Sequence, residues 1–417
     1  MQARAIPIRG DRRPRAPRRW RRTPFAAVAL SLLAFLSPTL TLAPLQASEP
    51  RPASTGPRPL DEPERGPRRP APIDVAGPVA PVAGPAAAPD PTIVVADGPR
   101  FAAALEAARA AGSAYGVTFA AVRDGALVWT GATGRERDGA TALTPGSELV
   151  IGSVTKTYVA ATTLQLAAEG SIDLDDTLRS HLPDLRSISR RITLRQLLDH
   201  TSGLADVFND TTRLGLETDP DHGWTADELL GSLHAPWYRP GEGWAYANTN
   251  YYLLGLVIER VTGSTLEAEV RARFLDPLGL YGTSVLDGAA APNGPLDAAW
   301  TSVFWASGAM SATAADLARW GDALYVGSVL TEDARAEMAA FNDHEYGLGA
   351  QHIRIGRFEG IGHTGLLNTY TSLLVHLPDE GVTIALLVNR SDVNLAGMLT
   401  ARPVGGGPSL LRLALGE

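Results

Sequence analysis

Residues 151–160 read IGSVTKTYVA, where a short apolar run turns into a helical pattern at a serine. Lys156 is the only lysine in a chain with 37 Lys and Arg residues, and it follows Ser153 by three positions. If Ser153 opens the helix, both side chains project from one face. A serine hydroxyl becomes a good nucleophile when a base takes its proton, and a desolvated lysine can be that base, whereas arginine stays protonated. The stretch therefore predicts a nucleophile beside its base.

A second polar segment, residues 240–255, reads PGEGWAYANTNYYLLG and precedes an apolar helix. Ser-x-x-Lys alone arises about once by chance in a chain of this size, so partner segments decide its meaning. In extended backbone Tyr246 and Asn248 point to the same side. The phenol can relay a proton, and the amide can bond both a substrate carbonyl and a lysine. The alternative is a packed aromatic residue followed by a helix cap; we expect Asn250 to be the cap, which leaves Asn248 free.

The third segment, residues 360–375, reads GIGHTGLLNTYTSLLV and predicts strand structure that begins near His363. Its glycines allow a ligand to approach the backbone closely, and a strand edge offers N–H and C=O groups for pairing. The alternative is a core strand with an incidental histidine.

The rest of the body indicates one sheet assembled from both ends of the chain. VTFAAVR and ALVWTG are two strands joined by Asp124-Gly125, a strong hairpin signal. Helical patterns fill the middle, and strand patterns return in YGLGAQHIRI, GHTGLLNTYTSLLVHLP and VTIALLVNR. We expect an α/β (α+β) fold in which an antiparallel sheet of five or more strands is flanked by helices, with an all-helical region beside it.

The N-terminal part differs in composition from this body. Residues 1–47 carry nine arginines against one aspartate and then an apolar run, FAAVALSLLAFL, which predicts a signal peptide or an uncleaved signal anchor and hence a secreted or extracytoplasmic body. Residues 48–91 are rich in Pro, Ala, Gly and Arg and predict a disordered linker, so the globular domain is expected over 92–417. The net charge of −8 leaves the body strongly acidic, which argues against a nucleic-acid partner. No cysteine is present, so disulfides and thiolate chemistry are excluded.

The three segments, taken in order and spacing, resemble the serine β-lactamase and penicillin-binding superfamily over about 101–390. LRQLLDHTSGL and ASGAMSATAADLARW are also similar to stretches of that superfamily. The chain looks most like class C β-lactamases and D-alanyl-D-alanine carboxypeptidases, and the resemblance implies a β-lactamase/transpeptidase-like fold.

The resemblance also implies a role for each motif residue. Ser153 would be the acylated nucleophile, Lys156 its base and Tyr246 the proton relay. Asn248 would hold the substrate amide, and the backbone N–H groups of Ser153 and Leu366 would form the oxyanion hole. The strand residues His363, Thr364 and Gly365 would line the substrate, often through its carboxylate. No metal or organic cofactor is implied.

The function expected from this resemblance is a D-alanyl-D-alanine carboxypeptidase-like peptidase. Class C β-lactamases carry Lys where this chain has His363, and a neutral imidazole holds a carboxylate less firmly than an ammonium does. A β-lactamase or esterase of the same fold remains an alternative, and so does a penicillin-binding sensor or cell-wall binding module that is acylated without turnover. The partner would be a peptidoglycan stem peptide, a β-lactam or an ester. Gly-x-Ser-x-Gly and His-Glu-x-x-His motifs are absent, which argues against an α/β-hydrolase and a zincin.

Overall fold

The computed structural model describes residues 97–286 and 296–417. The predicted signal segment and linker therefore lie outside the described residues. Within the two described ranges, no helix has the length and apolar character needed to cross a bilayer.

The main sheet has six antiparallel strands in the order β2-β1-β9-β8-β7-β6. Its strands are β1 Gly116–Arg123, β2 Ala126–Gly134, β6 Gln351–Ile355, β7 Phe358–Leu367, β8 Tyr370–Leu377 and β9 Val382–Val388. The first strand pairs with the last along Val117↔Val388 to Arg123↔Val382, so the prediction of one sheet built from both chain ends is confirmed. Asp124 and Gly125 have φ of +51° and +76°, the left-handed backbone that a tight hairpin turn requires.

Helices cover both faces of this sheet. They are α1 Gly98–Ala111, α2 Thr155–Ala168, α3 Leu178–His181, α4 Leu194–Leu198, α5 Asp210–Thr218, α6 Ala226–Gly231, α7 Asn248–Thr262, α8 Leu266–Val270, α9 Asp276–Leu278, α10 Ala298–Gly308, α11 Ala314–Tyr325, α12 Glu332–Met338, α13 Leu395–Thr400 and α14 Leu410–Ala414. A π-helical turn, Arg271–Leu275, joins α8 to α9.

The alternation of side chains along the strands divides the core into two layers. In β9, Ile384 and Leu386 face α1, α13 and α14, while Ala385 and Leu387 face the larger cluster that includes α2, α7, α10 and α11. In α1 the buried positions Phe101, Ala104, Leu105 and Ala108 follow the spacing of one helical face. Strands β1, β8 and β9 are buried almost throughout, and apolar residues accordingly occupy both faces of each strand.

A second, three-stranded sheet is a feature that the sequence did not predict. It pairs β3 Leu149–Val150 with β5 Met310–Ala312, and β5 with β4 Thr283–Val285. Strands of two or three residues are too short to show a period. This sheet matters because β3 leads directly into the serine turn.

Candidate active site

Ser153 lies in the turn between β3 and α2. The turn is a short 3₁₀ segment, Gly152–Val154, and Ser153 is partly exposed. The preceding residue, Ile151, is held on both sides, because its N–H donates to the Met310 carbonyl at 2.9 Å and its carbonyl accepts from the Ser372 hydroxyl at 2.6 Å. The chain therefore presents the serine hydroxyl at a fixed corner of the fold.

Lys156 is fully buried one turn into the same helical stretch. Its Nζ donates to Ser153 Oγ at 3.1 Å, to Asn248 Oδ1 at 2.9 Å and to the Ser307 carbonyl at 2.6 Å. Burial lowers the pKa of Lys156 to about 7, and the charge of Asp206 opposes that shift. Near neutral pH a large fraction of this amine is therefore unprotonated and can take the serine proton.

Asn248 is the first residue of α7, and its amide joins the lysine to a buried acid. Its Oδ1 accepts from Lys156, while its Nδ2 donates to Asp206 Oδ2 at 3.1 Å. The expectation that Asn250 caps this helix is wrong: α7 begins after Ala247 without a side-chain cap. Asn250 instead turns into the core.

Tyr246 lies over the lysine, with Nζ 4.8 Å from the ring centroid. Its buried hydroxyl has no hydrogen-bond partner of ordinary geometry in the described part of the chain. Burial raises the pKa of Tyr246 well above its ordinary value, and the nearby Ser153 side chain acts in the opposite direction. At neutral pH the phenol is thus protonated and has a proton to pass on.

His363 is fully buried in β7, behind the Tyr246 ring, and the two ring centroids are 6.3 Å apart. Its Nδ1 donates to the Thr364 carbonyl at 2.6 Å, and its Nε2 accepts from the Tyr346 hydroxyl at 3.0 Å. Burial, followed by the charge of Lys156, lowers the pKa of His363 to about 3. The imidazole is therefore neutral, and both ring nitrogens are already bonded within the protein.

The end of β7 packs against the serine turn. A Cβ on Gly365 would lie 2.0 Å from the Ile151 carbonyl oxygen, so only glycine allows this approach. Leu367 and Tyr370 flank the two-residue turn that joins β7 to β8. Because backbone hydrogen bonding alternates along a strand, the Leu366 N–H points away from β8, toward the edge of β7 that is unpaired there. That edge is where Gly152 lies: a Cβ there would be 2.8 Å from the Leu366 nitrogen. The Leu366 N–H therefore faces the nucleophile's turn.

The structure thus brings five of the predicted groups to one place: the side chains of Ser153, Lys156, Tyr246 and Asn248, and the backbone of Leu366. Thr364 is close by but engaged, because its N–H and hydroxyl both donate to Gln351 Oε1 at 3.0 Å. Across residues 97–286 and 296–417, no group of His, Asp and Glu side chains is arranged to hold a metal ion.

Sequence reasoning missed two groups that contact this network, the Asp206 carboxylate and the Ser307 carbonyl. Asp206 follows the HTSG segment, and Ser307 lies in ASGAMSATAADLARW, both of which are family-like stretches. No spacing rule relates an acid at 206 to an amide at 248. Every residue has a backbone carbonyl, so the residue type at 307 does not indicate that its carbonyl binds the lysine.

Comparison with known proteins gives a consistent result. The Beta-lactamase family model matches residues 101–402. The structure of a D-stereospecific amidohydrolase from Streptomyces sp. is similar, with a TM-score of 0.62 and 31% identity over 72% of this chain and 98% of that one. A D-amino acid amidase from Ochrobactrum anthropi SV3, solved in complex with L-phenylalanine, has a TM-score of 0.62 and 25% identity over 70% of this chain and 92% of that one.

A match to a curated sequence is shorter. Protein flp of Staphylococcus aureus is 32% identical over 148 residues, which is 34% of this chain. The chain spans only 28% of the length of that relative.

Proposed function

The chain belongs to the Beta-lactamase family, a family of serine hydrolases, and from this premise we propose that it hydrolyses amides through an acyl-enzyme on Ser153. The observation that carries the proposal is the contact between Lys156 Nζ and Ser153 Oγ at 3.1 Å, made by a buried amine whose pKa is about 7. A lysine serving only as a surface charge would be exposed and fully protonated.

The proposed reaction has two halves. Neutral Lys156 takes the Ser153 proton as Oγ attacks the substrate carbonyl, and the N–H groups of Ser153 and Leu366 stabilise the resulting oxyanion. When the C–N bond breaks, the Tyr246 hydroxyl gives its proton to the leaving nitrogen and regains one from Lys156. Water then attacks the acyl-enzyme and gives a proton to Lys156, which passes it to Ser153 Oγ as the ester bond breaks, so that the acid and free Ser153 are released.

For the substrate we propose amides and peptides of D-amino acids. The two similar proteins of known structure, named as a D-stereospecific amidohydrolase and a D-amino acid amidase, support this class. The state of His363 favours an uncharged leaving group over a C-terminal amino acid, because a neutral, fully bonded imidazole offers no charge to a carboxylate. Carboxypeptidase action on a D-alanyl-D-alanine terminus is the other outcome that the test below can reveal.

We also propose that the protein acts outside the cytoplasm. The support is the arginine-rich, apolar pattern of residues 1–47, which lie outside the described part of the chain.

The test combines intact-mass measurement with a set of substrates. Wild-type protein is incubated with a fluorescent penicillin and, separately, with D-alaninamide, an acyl-D-Ala-D-Ala peptide and a nitrophenyl ester. We expect a covalent adduct on the wild type and release of ammonia from the amide. Ser153→Ala should form no adduct, and Lys156→Arg should acylate at least about 100-fold more slowly because arginine cannot act as the base.

Each alternative has its own result. Release of D-Ala from the peptide, without cleavage of D-alaninamide, would identify a carboxypeptidase. Rapid loss of the penicillin label would identify a β-lactamase. Cleavage of the ester alone would identify an esterase, while a permanent label without turnover of any substrate would identify a sensor. An adduct on Ser153→Ala with an unchanged melting temperature would overturn the assignment of the nucleophile.

A further inference from the structure

His200, in the HTSG segment, contacts the segment that carries Tyr246, although no step of the proposed reaction uses it. The residue is fully buried, and its φ of +63° is a left-handed conformation that few non-glycine residues adopt. Its segment forms several hydrogen bonds with the chain around Tyr246: the Trp237 N–H donates to the Gly203 carbonyl, and the Gly241 N–H to the Thr201 carbonyl.

Two further hydrogen bonds, both to His200, flank Tyr246. The Ala245 N–H donates to the His200 carbonyl at 3.1 Å, and the Ala247 N–H donates to His200 Nδ1 at 3.3 Å. The His200 ring also lies against the Tyr246 ring, with centroids 4.3 Å apart. One residue therefore binds the N–H groups of both chain neighbours of the tyrosine and covers one face of its ring.

The hydrogen bonds define the protonation state of His200. Nδ1 accepts from the Ala247 N–H and lies 2.9 Å from Asn250 Nδ2, so it cannot itself carry a proton. The proton of the neutral ring is on Nε2, which has no hydrogen-bond partner in the described part of the chain. Burial, followed by the charge of Lys156, keeps the pKa of His200 well below its ordinary value, so the ring is neutral and Nδ1 is an acceptor at neutral pH.

From these contacts we infer that His200 is a positioning residue for acylation, because its carbonyl and its Nδ1 fix the Tyr246 phenol beside Ser153. The inference rests on the proposed function. A shift of about 1 Å in a reacting group can lower a rate about 100-fold. Loss of the Nδ1 acceptor should therefore lower the acylation rate constant while substrate affinity changes little.

Two variants with amide side chains test whether the hydrogen-bond acceptor must lie at the position of His200 Nδ1. Both variants keep an acceptor, but only one of them places it there. In His200→Asn the side-chain oxygen lies near the place of Nδ1, and asparagine tolerates a left-handed backbone. In His200→Gln the same amide reaches toward the place of Nε2, away from Ala247. We expect His200→Asn to keep its acylation rate constant within about fivefold and His200→Gln to lose about 30-fold or more, as misplaced reacting groups do.

His376→Asn is the matched control. It replaces another buried histidine, whose Nδ1 lies 2.9 Å from the Thr383 hydroxyl within the sheet, so it should lower stability without slowing acylation. The acylation rate constant is measured by stopped flow with a fluorescent penicillin. Hydrogen–deuterium exchange of the peptide that covers residues 241–250 is measured in parallel and should be faster in His200→Gln alone.

The positioning role is wrong if the Asn and Gln variants slow acylation equally, or if the rates simply follow the melting temperatures of the three variants. Wild-type protein that forms no adduct would contradict the proposed function instead. Even then, unchanged exchange in His200→Gln would overturn the inference, because the contact to Ala247 would not be what holds the segment.

Discussion

Lys156 meets two conditions for a lysine that acts as a base. Its amine must be desolvated, so that its pKa falls, and it must contact the group that it deprotonates. Burial of the whole side chain supplies the first condition, and the helical spacing from Ser153 supplies the second. The two other acceptors, Asn248 Oδ1 and the Ser307 carbonyl, would stabilise the protonated amine, and so does the charge of Asp206. The pKa of about 7 reflects burial, which lowers it, opposed by the charge of Asp206, and it leaves Lys156 able to gain and lose a proton at neutral pH.

Asp206→Asn tests the electrostatic part of this balance. The acylation rate should rise with pH through about 7 in the wild type, because only the neutral amine acts as the base. Asp206 raises the pKa of Lys156, so removing its charge should lower that pKa and move the acidic limb of the pH–rate profile to lower pH. Asp199→Asn is the control, since this half-buried acid bonds Thr201 and should leave the limb in place. A limb that stays in place in Asp206→Asn would contradict the assignment of Lys156 as the titrating base.

At the scale of elements, the site depends on the close approach of β7 to the turn that follows β3. Gly152 has a φ of +51° and faces the backbone of Leu366, so the turn needs glycine both for its conformation and for space. The approach aims the Leu366 N–H at the region of Ser153. An oxyanion site of this kind is made by two elements, and neither could form it alone.

Gly152→Ala should therefore impair chemistry more than stability. Its Cβ would lie 2.8 Å from the Leu366 nitrogen and 3.0 Å from the Leu366 carbonyl carbon, both backbone atoms that move only with the strand. We expect acylation to fall about 100-fold as the oxyanion donors shift. Gly356→Ala is the control: this hairpin glycine has a φ of +63° but no atom within 4 Å of an added Cβ. It should cost about 1–2 kcal/mol in unfolding free energy through backbone strain and leave acylation unchanged. Equal acylation rates in the two variants would show that the contact with Leu366 does not matter.

The sequence predicted these elements well where one segment carries the signal by itself. The hairpin at Asp124-Gly125 and the contact of Ser153 with Lys156 are local patterns of this kind, and the sheet from distant strands followed from strand patterns that each segment shows on its own. The β3–β5–β4 sheet, the Asp206 contact and the burial of His363 were missed because each depends on which side of an element meets another. An identical HTG stretch could have presented its imidazole to solvent; the Tyr346 hydroxyl that holds His363 belongs to a loop with no recognisable motif.

For the whole molecule, the central problem is to hold the two ends of the domain in one sheet. The β1–β9 pairing joins residues more than 250 positions apart, and formation of such contacts has to offset a large loop-closure entropy. Asn389, directly after β9, reinforces that pairing with its side chain. Its Oδ1 accepts from the Gly116 N–H at 2.6 Å and its Nδ2 donates to the Arg135 carbonyl at 2.8 Å, so one buried amide ties the start of β1 and the end of β2 to the last strand.

Asn389→Ala should thus destabilise the entire fold without touching the site. It leaves the buried Gly116 N–H and the part-buried Arg135 carbonyl without these partners, at a cost of about 1–3 kcal/mol for the buried N–H, so we expect a clear fall in the midpoint of denaturant unfolding and an unchanged acylation rate constant for the folded protein. Asn394→Ala is the comparison, because it removes a single helix cap at the exposed start of α13 and should cost about 1 kcal/mol. If both variants lowered the midpoint by the same amount, the Asn389 amide would be an ordinary local contact. A larger loss at Asn389 would mean that the contact between the first and last strands contributes to the stability of the whole domain.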